Sequence, residues 1–478
     1  MSAFHRVRDM NEECGVMGVA GVAGAAEIAA LGLHALQHRG QESTGVVACD
    51  EQGEFRAVKG LGLVADVYRR SGLSSLGGTL AIGHNRYSTS GGLTLENTQP
   101  LRVVTRGGPL ALAHNGNLTN ARVLRQGLEE SGSIFQTTLD TEIFLHLMAL
   151  SGVDDVETAL IEAAKQVQGA YALVVLTRDS VIALRDAHGL RPLCLGRLGD
   201  GYVVASETCA LDLVGAEFVR EVGPGEMITL DHHGLRTRQA LPAAEPQQQC
   251  VFEHIYFSRP DSKVFGDSVD AVRRRLGRRL AIEHPVEADL VTAVPDSSNS
   301  IALGYAEQSK VPYELALIRN HYVGRTFIQP QQKGRDFGVR VKFNPVREIL
   351  QGRRVIVVDD SIVRGTTSRK LVRLLRSAGA KEVHFRVGSP PVTHPCFYGI
   401  DTPSRRELIG GTKSVEEIRE YLGVDTLGYL SLDGLLECEK APRNFCRACF
   451  TGEYPVPVDP KASKLALENL RTPTGAGA

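Results

Sequence analysis

What the sequence lacks first is charge of one sign: 54 lysines and arginines against 55 aspartates and glutamates leave a net charge of −1. That balance removes any electrostatic case for a nucleic-acid or membrane partner. Long apolar runs are also missing. Stretches such as Tyr171–Leu176 are strand-length, far short of the roughly 20 residues that a membrane span needs. No secretory signal is evident, because Met1–Glu13 carries charges of both signs and no apolar core, so a cytoplasmic location is expected. Nine cysteines in such a chain do not read as a disulfide framework. There is no internal repeat.

What is present describes an ordinary globular protein, 42% hydrophobic and 23% charged. At 478 residues the chain is too long for one compact core, so two domains are expected. The first half reads as short strands at Val16–Val22, Gly45–Cys49, Ala81–Tyr87, Leu110–Asn115, Ala172–Thr177, Val181–Arg185 and Tyr202–Ala205. Helices over Ala26–Gln37 and Leu118–Glu130 interrupt them. Sheets packed on each other with helices outside follow from that pattern. Gly234–Gln249, with two prolines and three consecutive glutamines, reads as a linker.

Beyond it strand and helix alternate. Ser268–His284 is an amphipathic helix with five arginines mostly opposite its apolar face, and Leu290–Val294 is a strand leading into Pro295-Asp296-Ser297-Ser298. Arg354–Val358, Thr366–Ala378 and Glu382–Val387 give strand, helix, strand, which implies a parallel sheet with ligands at its carboxyl ends. The expected boundaries are 1–13, 14–240, 250–455 and a loose Pro-, Ala- and Gly-rich tail at 456–478.

The most specific string runs from Arg354 through Asp359, Asp360, Ser361, Arg364, Gly365, Thr366 and Thr367 to Ser368. An apolar strand delivers two acids to its end, and a Ser/Gly/Thr loop opens straight into a helix. Backbone N–H groups and hydroxyls there make a phosphate cradle, while the carboxylates can take sugar hydroxyls or Mg²⁺. A lone Asp-Asp pair would be an ordinary strand end; the whole string is not. It resembles the motif of type I phosphoribosyltransferases, whose substrate is 5-phosphoribosyl-1-pyrophosphate. By that resemblance Ser361–Ser368 grips the 5-phosphate, Asp359 and Asp360 take ribose hydroxyls and Mg²⁺, and Ser297 in the Pro295–Ser298 turn serves pyrophosphate and metal. Tyr322–Pro345, with five basic residues and one acid, is either a solvated loop or a lid whose Arg340 and Lys342 neutralise the leaving group.

Cys14 alone would be a core thiol. Three further strings change that: Leu36–Glu42 with Gln37, His38, Arg39 and Gly40; Gly83–Thr89 with Arg86; and His114-Asn115-Gly116-Asn117. Together they resemble the class II glutamine amidotransferases, an N-terminal-nucleophile family with a four-layer αββα fold. A free α-amine, with a pKa of about 7.7–8.0, can act as base for its own thiol, which requires residues 1–13 to be a self-cleaved propeptide. The resemblance makes Asn115 and Gly116 oxyanion donors. It pairs Arg86 with the α-carboxylate of glutamine and Asp140 with its α-ammonium, and puts Arg39 and Thr89 on the pocket wall. A cysteine peptidase-like hydrolase fits less well, because the nucleophile lies so near the terminus.

Cys446 and Cys449 form a C-x-x-C, with Cys250 and Cys396 as the best partners and Cys438 competing for one position. By chemistry alone Zn²⁺, a [4Fe–4S] cluster and an unligated pair stay open. Both halves in this order resemble the amidophosphoribosyltransferases, from about Glu12 to Tyr454. The contexts of Cys250, Cys396, Cys446 and Cys449 match the branch with a propeptide and a [4Fe–4S] cluster. The resemblance implies glutamine-dependent delivery of ammonia to C1 of phosphoribosylpyrophosphate, giving 5-phosphoribosylamine. It also implies a homotetramer and feedback inhibition by purine nucleotides. A non-catalytic sensor of phosphoribosylpyrophosphate, and an amidotransferase with another acceptor, are the rival readings.

Overall fold

The structure, a computed structural model, describes residues 14–69, 72–87, 92–320, 342–402, 404–458 and 467. The expected propeptide, Thr89, Arg340 and nearly all of the expected lid lie outside the described residues.

Thirteen strands build the first domain: β1 Gly15–Ala20, β2 Ser43–Cys49, β3 Phe55–Leu61, β4 Leu80–Arg86, β5 Leu101–Thr105, β6 Gly108–Leu118, β7 Gly169–Leu176, β8 Ser180–Arg185, β9 Cys194–Leu198, β10 Gly201–Ala205, β11 Glu217–Glu221, β12 Glu226–Asp231 and β13 Gly234–Gln239. They form a seven-stranded sheet in the order β11-β9-β10-β1-β4-β2-β3 and a six-stranded sheet in the order β13-β12-β8-β7-β6-β5. Successive side chains of a strand point to opposite faces, and here both faces are buried, which explains the near-continuous apolar runs. Along β1, Val16 and Ala20 enter the layer between the sheets, while Met17 and Val19 pack outward. Along β7, Ala172 and Val174 face that inner layer, and Leu173 and Val175 face the other side.

Helices cover both outer faces. α1 (Ala25–Ala35) packs on β1, β2 and β4, while α3 (Ala121–Glu130), α4 (Thr141–Leu150) and α5 (Val156–Ala164) cover the six-stranded sheet; α2 (Val64–Tyr68) is a short turn beside β3. A sixth helix, α6 (Thr208–Val214), lies against α1. The result is the four-layer αββα arrangement. Two departures from the sequence reading stand out. The segment expected as linker begins with β13, which pairs with β12 along all six of its residues, so the connection starts only at residue 240. The helices α4 and α5 are not foreseen from the sequence; their apolar residues face a sheet on one side and each other on the other, which blurs a helical period.

Ten strands follow in the second domain: β14 Gln249–Cys250, β15 Lys263–Val264, β16 Asp267–Ser268, β17 Leu290–Ala293, β18 Leu317–Arg319, β19 Phe343–Pro345, β20 Arg354–Asp359, β21 Glu382–Val387, β22 Thr426–Tyr429 and β23 Phe445–Cys446. β17, β20, β21 and β22 form a parallel sheet in that order. α7 (Val269–Glu283) and α8 (Asn299–Ser309) bury Val272, Leu276, Leu280 and Ile301 against one face. α9 (Thr366–Ser377) and α10 (Val415–Leu422) bury Leu371, Leu375, Ile418 and Leu422 against the other. α7 and α8 approach so closely that a Cβ on Gly277 would lie 1.9 Å from the carbonyl oxygen of Ile301. Arg273 departs from the expected solvent face of α7: it is buried and donates to the carbonyls of His254 and Ser258. Among the described residues, no helix is long and apolar enough to cross a membrane.

Candidate active sites

The first site forms where β1, β4 and β6 end together. Gly15 on β1 pairs with Asn85 on β4, which places Cys14 beside Arg86. The Cys14 thiol, 7% exposed, donates to the carbonyl of Tyr87 at 3.5 Å. The facing sheet is tied in by His84, whose Nε2 meets the carbonyl of His114 at 3.0 Å. Burial pushes the His84 imidazole down to about 3, so it is neutral and serves as a strut. The next residue, Asn115, is 1% exposed, and its Nδ2 has no hydrogen-bond partner. An orphaned buried amide donor is costly unless a ligand completes it, and an oxyanion would do so.

Gly116 has φ +147°, and a Cβ there would lie 2.0 Å from the carbonyl oxygen of Ala170, so no other residue fits. Asp140 accepts from the N–H of Leu118 at 2.9 Å and lies 3.6 Å from Nδ1 of His114. Burial alone would raise the Asp140 carboxyl; His114 and the Leu118 N–H reverse that and hold it below the usual range. An anionic, buried Asp140 therefore sits at the end of the same strand as Asn115. Arg86, 2% exposed, donates to the carbonyl of Gly92.

Arg39 stands behind Cys14. Its Nε donates to the carbonyl of Cys14 at 3.1 Å, and its other nitrogens bind Glu207 and Glu253 at 2.6–2.9 Å. Glu253 belongs to the second domain and also accepts from Ser258. These acids had no visible signal in the sequence, since single glutamates beside short strands are common. The second domain reaches the other wall as well. Asn117 donates to the carbonyl of Phe397 at 2.9 Å, and a Cβ on Gly399 would lie 3.2 Å from Cα of Gly116.

The second site lies at the carboxyl ends of β17 and β20. Ser297 donates to Asp360 at 2.5 Å, Ser298 reaches Asp359 at 3.2 Å and Asp360 at 3.3 Å, and Ser361 reaches Asp360 at 2.7 Å. The two separate strings of the sequence thus converge. Burial raises the Asp360 carboxyl, opposed by the serine hydroxyls and by Arg273 behind them. Gly365, at φ +71°, turns the chain into α9. Thr366 Oγ1 and Arg364 Nη1 are buried without partners, and Ser368 is buried next to them. Unpartnered donors at a helix start, hydroxyl and guanidinium together, fit a phosphate. Lys342 is exposed at the edge of the described residues, where its carbonyl accepts from Asn320.

A third cluster joins the domains. Cys250 and Cys446 are paired neighbours on β14 and β23. With Cys396 and Cys449 they line one small cavity, closed by Tyr398 and Tyr454. Burial pushes the Cys446 thiol up to about 12; burial and then the three other cysteines push Cys449 well above its usual range. Cys438 does not line that cavity. Among the described residues, no group of three or more His, Cys, Asp or Glu side chains is arranged as a metal-ion site.

Comparison with known proteins decides the family. A glutamine amidotransferase domain family matches residues 84–213. The chain is 54% identical to amidophosphoribosyltransferase 1, chloroplastic, of Arabidopsis thaliana, over 93% of this chain and 79% of that one. It is 51% identical to the amidophosphoribosyltransferase of Bacillus subtilis (strain 168), covering 95% of this chain and 96% of the relative. The chain belongs to the amidophosphoribosyltransferase family. A solved structure described as glutamine phosphoribosylpyrophosphate amidotransferase from B. subtilis complexed with ADP and GMP superposes with TM-score 0.90 at 50% identity, over 95% of this chain and all of that one. Another, described as the allosteric regulatory enzyme of purine biosynthesis, gives TM-score 0.91 at 50% identity, over 95% and 99% of the two chains. The chain is thus an enzyme that moves ammonia from glutamine to C1 of phosphoribosylpyrophosphate, yielding 5-phosphoribosylamine, pyrophosphate and glutamate, the committed step of purine synthesis.

Proposed function

We propose that the two sites divide this reaction as follows. Cys14, freed by loss of residues 1–13, attacks the side-chain amide carbon of glutamine, with its own α-amine as base. Asn115 Nδ2 and the Gly116 N–H take the tetrahedral oxyanion; the observation that carries this assignment is the orphaned Asn115 donor. Arg86 holds the substrate α-carboxylate, Asp140 faces its α-ammonium, and Arg39 fixes the Cys14 backbone from behind. Ammonia leaves, and water hydrolyses the thioester to glutamate.

At the second site Arg364, Thr366, Thr367 and Ser368 hold the 5-phosphate while Asp359 and Asp360 hold the ribose hydroxyls. Ammonia displaces pyrophosphate at C1, and the proton it loses leaves with solvent or product. Mg²⁺ suits the hard oxygen donors of Asp359, Asp360 and Ser297, and when bound it neutralises pyrophosphate charge. Lys342 lies on the segment that would close over the leaving group.

The four cysteines are proposed ligands of a [4Fe–4S] cluster. Cys250, Cys396 and Cys446 are buried and Cys449 is half-buried around one small cavity, where burial disfavours thiolates unless a cation accompanies them. The backbone N–H of Tyr398 donates to the sulfur of Cys396 at 3.3 Å, a contact that steadies a ligating thiolate. A homotetramer inhibited by purine nucleotides completes the reading, its nucleotide part supported by likeness to the enzyme solved with ADP and GMP. Native mass spectrometry of anaerobically purified protein, paired with pyrophosphate release, tests it. The expected result is a chain short by residues 1–13, carrying four irons and four sulfides, with release that needs both substrates. A turning-over protein that keeps Met1–Glu13 would overturn the nucleophile assignment, and one that holds no iron would overturn the cluster.

A further inference from the structure

Asn97, Thr98 and Gln99 are three consecutive polar residues, all buried although residues 93–96 before them are exposed, and no step of the reaction uses them. Burial of polar side chains is costly unless their bonds are complete. Gln99 spends its side-chain oxygen on the N–H of His114 at 2.8 Å, next to Asn115. Asn97 reaches two other walls of the first site. Its Nδ2 donates to the carbonyl of Gly92 and to Oγ1 of Thr138, both at 2.9 Å, and its Oδ1 accepts from the N–H of Thr138 at 3.1 Å. A carbonyl only accepts and an N–H only donates, so the amide has a single orientation and both its hydrogens are used.

Each end of this staple meets a group that reads glutamine. The Gly92 carbonyl also accepts from Nη1 of Arg86 at 3.1 Å, so one oxygen ties Asn97 to the guanidinium. Thr138 stands two residues before Asp140, in a turn that Glu142 of α4 also holds by accepting from the N–H and hydroxyl of Thr137. We propose, resting on the glutamine-binding roles given above to Arg86 and Asp140, that Asn97 is a positioning residue for the substrate. It sets the separation between the Arg86 guanidinium and the Asp140 carboxylate, and with it the fit of the α-carboxylate and α-ammonium. A buried, fully bonded network holds one geometry, whereas an exposed one would give way to water. The two charged ends of glutamine do not change during attack on its side chain. Their grip is therefore equal in ground state and transition state, and its loss appears in KM rather than in kcat.

Steady-state pyrophosphate release by Asn97→Ala, and by Thr138→Val with its nearly unchanged shape, tests this with glutamine and then ammonium as nitrogen source. KM for glutamine should rise about tenfold in Asn97→Ala and by less in Thr138→Val, with kcat within about twofold of the parent. Ammonium-driven release should stay at the parent rate in both. The double variant should be no weaker than Asn97→Ala alone, because the two substitutions break the same bonds. A parent-like KM for glutamine in both variants would overturn the proposal. So would an ammonium-driven rate that falls in step with the glutamine-driven one, which would make Asn97 a support of the fold alone. Asp140→Asn separates this role from the reading beneath it, and should raise KM for glutamine as well. An unchanged KM there would overturn the role of Asp140 and that of Asn97 with it. A raised KM there, beside a parent-like KM in Asn97→Ala, would overturn the positioning role alone.

Discussion

In the proposed mechanism Cys14 and Asn115 divide the chemistry of the first site between a nucleophile and a donor that waits for charge. Nδ2 of Asn115 is buried and unpartnered in the structure, so its desolvation has already been met and its full hydrogen-bond strength is available to the oxyanion. Asn115→Ala should lower glutamine hydrolysis by about a hundredfold to a thousandfold in kcat, while ammonia-driven pyrophosphate release stays near the parent rate. Stopped assays with each nitrogen source check both halves. Thr366 is the counterpart at the second site. Its buried hydroxyl has no partner, so Thr366→Val should raise KM for phosphoribosylpyrophosphate about tenfold to a hundredfold, the value of one hydrogen bond to a charged group. Titrating initial rate against that substrate measures it; an unchanged KM would show that the hydroxyl does not meet the phosphate.

The elements explain which parts of this arrangement could be read from sequence. Strands β1, β4, β6, β7, β8, β17, β20 and β21 announce themselves because short apolar runs end at glycine, asparagine or aspartate, and the phosphate loop is contiguous. Contacts made across the chain do not announce themselves. Arg273 looked like one more arginine on a solvated helix face, yet the packing of α7 turns it inward onto two carbonyls behind Asp360. Glu207 and Glu253 lie 46 residues apart in sequence and meet at Arg39. The pairing of β13 with β12 was hidden because an exposed edge strand needs no apolar residues. The α7–α8 contact is legible only once both helices are placed. Gly277→Ala would drive a Cβ into a backbone carbonyl that cannot move aside, an overpacking that costs at least about 1–3 kcal/mol. A melting temperature lower by several degrees than the parent's is expected by calorimetry, and a variant as stable as the parent would contradict the packing.

For the whole molecule, the buried ion network around Arg39 does what neither domain does alone. It joins the Cys14 backbone to Glu207 of the first domain and Glu253 of the second. Burial would raise the Glu207 carboxyl, but His38 and Arg39 hold it down to about 2, below its usual 4.5. A depressed carboxylate contributes stability that is complete above about pH 4.5 and is lost as pH falls toward 2. Thermal midpoints recorded from pH 7 to pH 3 should therefore fall, and Glu207→Gln should flatten that acid limb while lowering stability at pH 7. The same network ties the backbone of Cys14, the proposed nucleophile, to the second domain. That division of labour is tested most directly by pyrophosphate release from Cys14→Ala, supplied in turn with glutamine and with ammonium at high pH. The variant should release none with glutamine, keep residues 1–13 attached, and still release pyrophosphate with ammonium. Glutamine-driven release by Cys14→Ala would contradict the account.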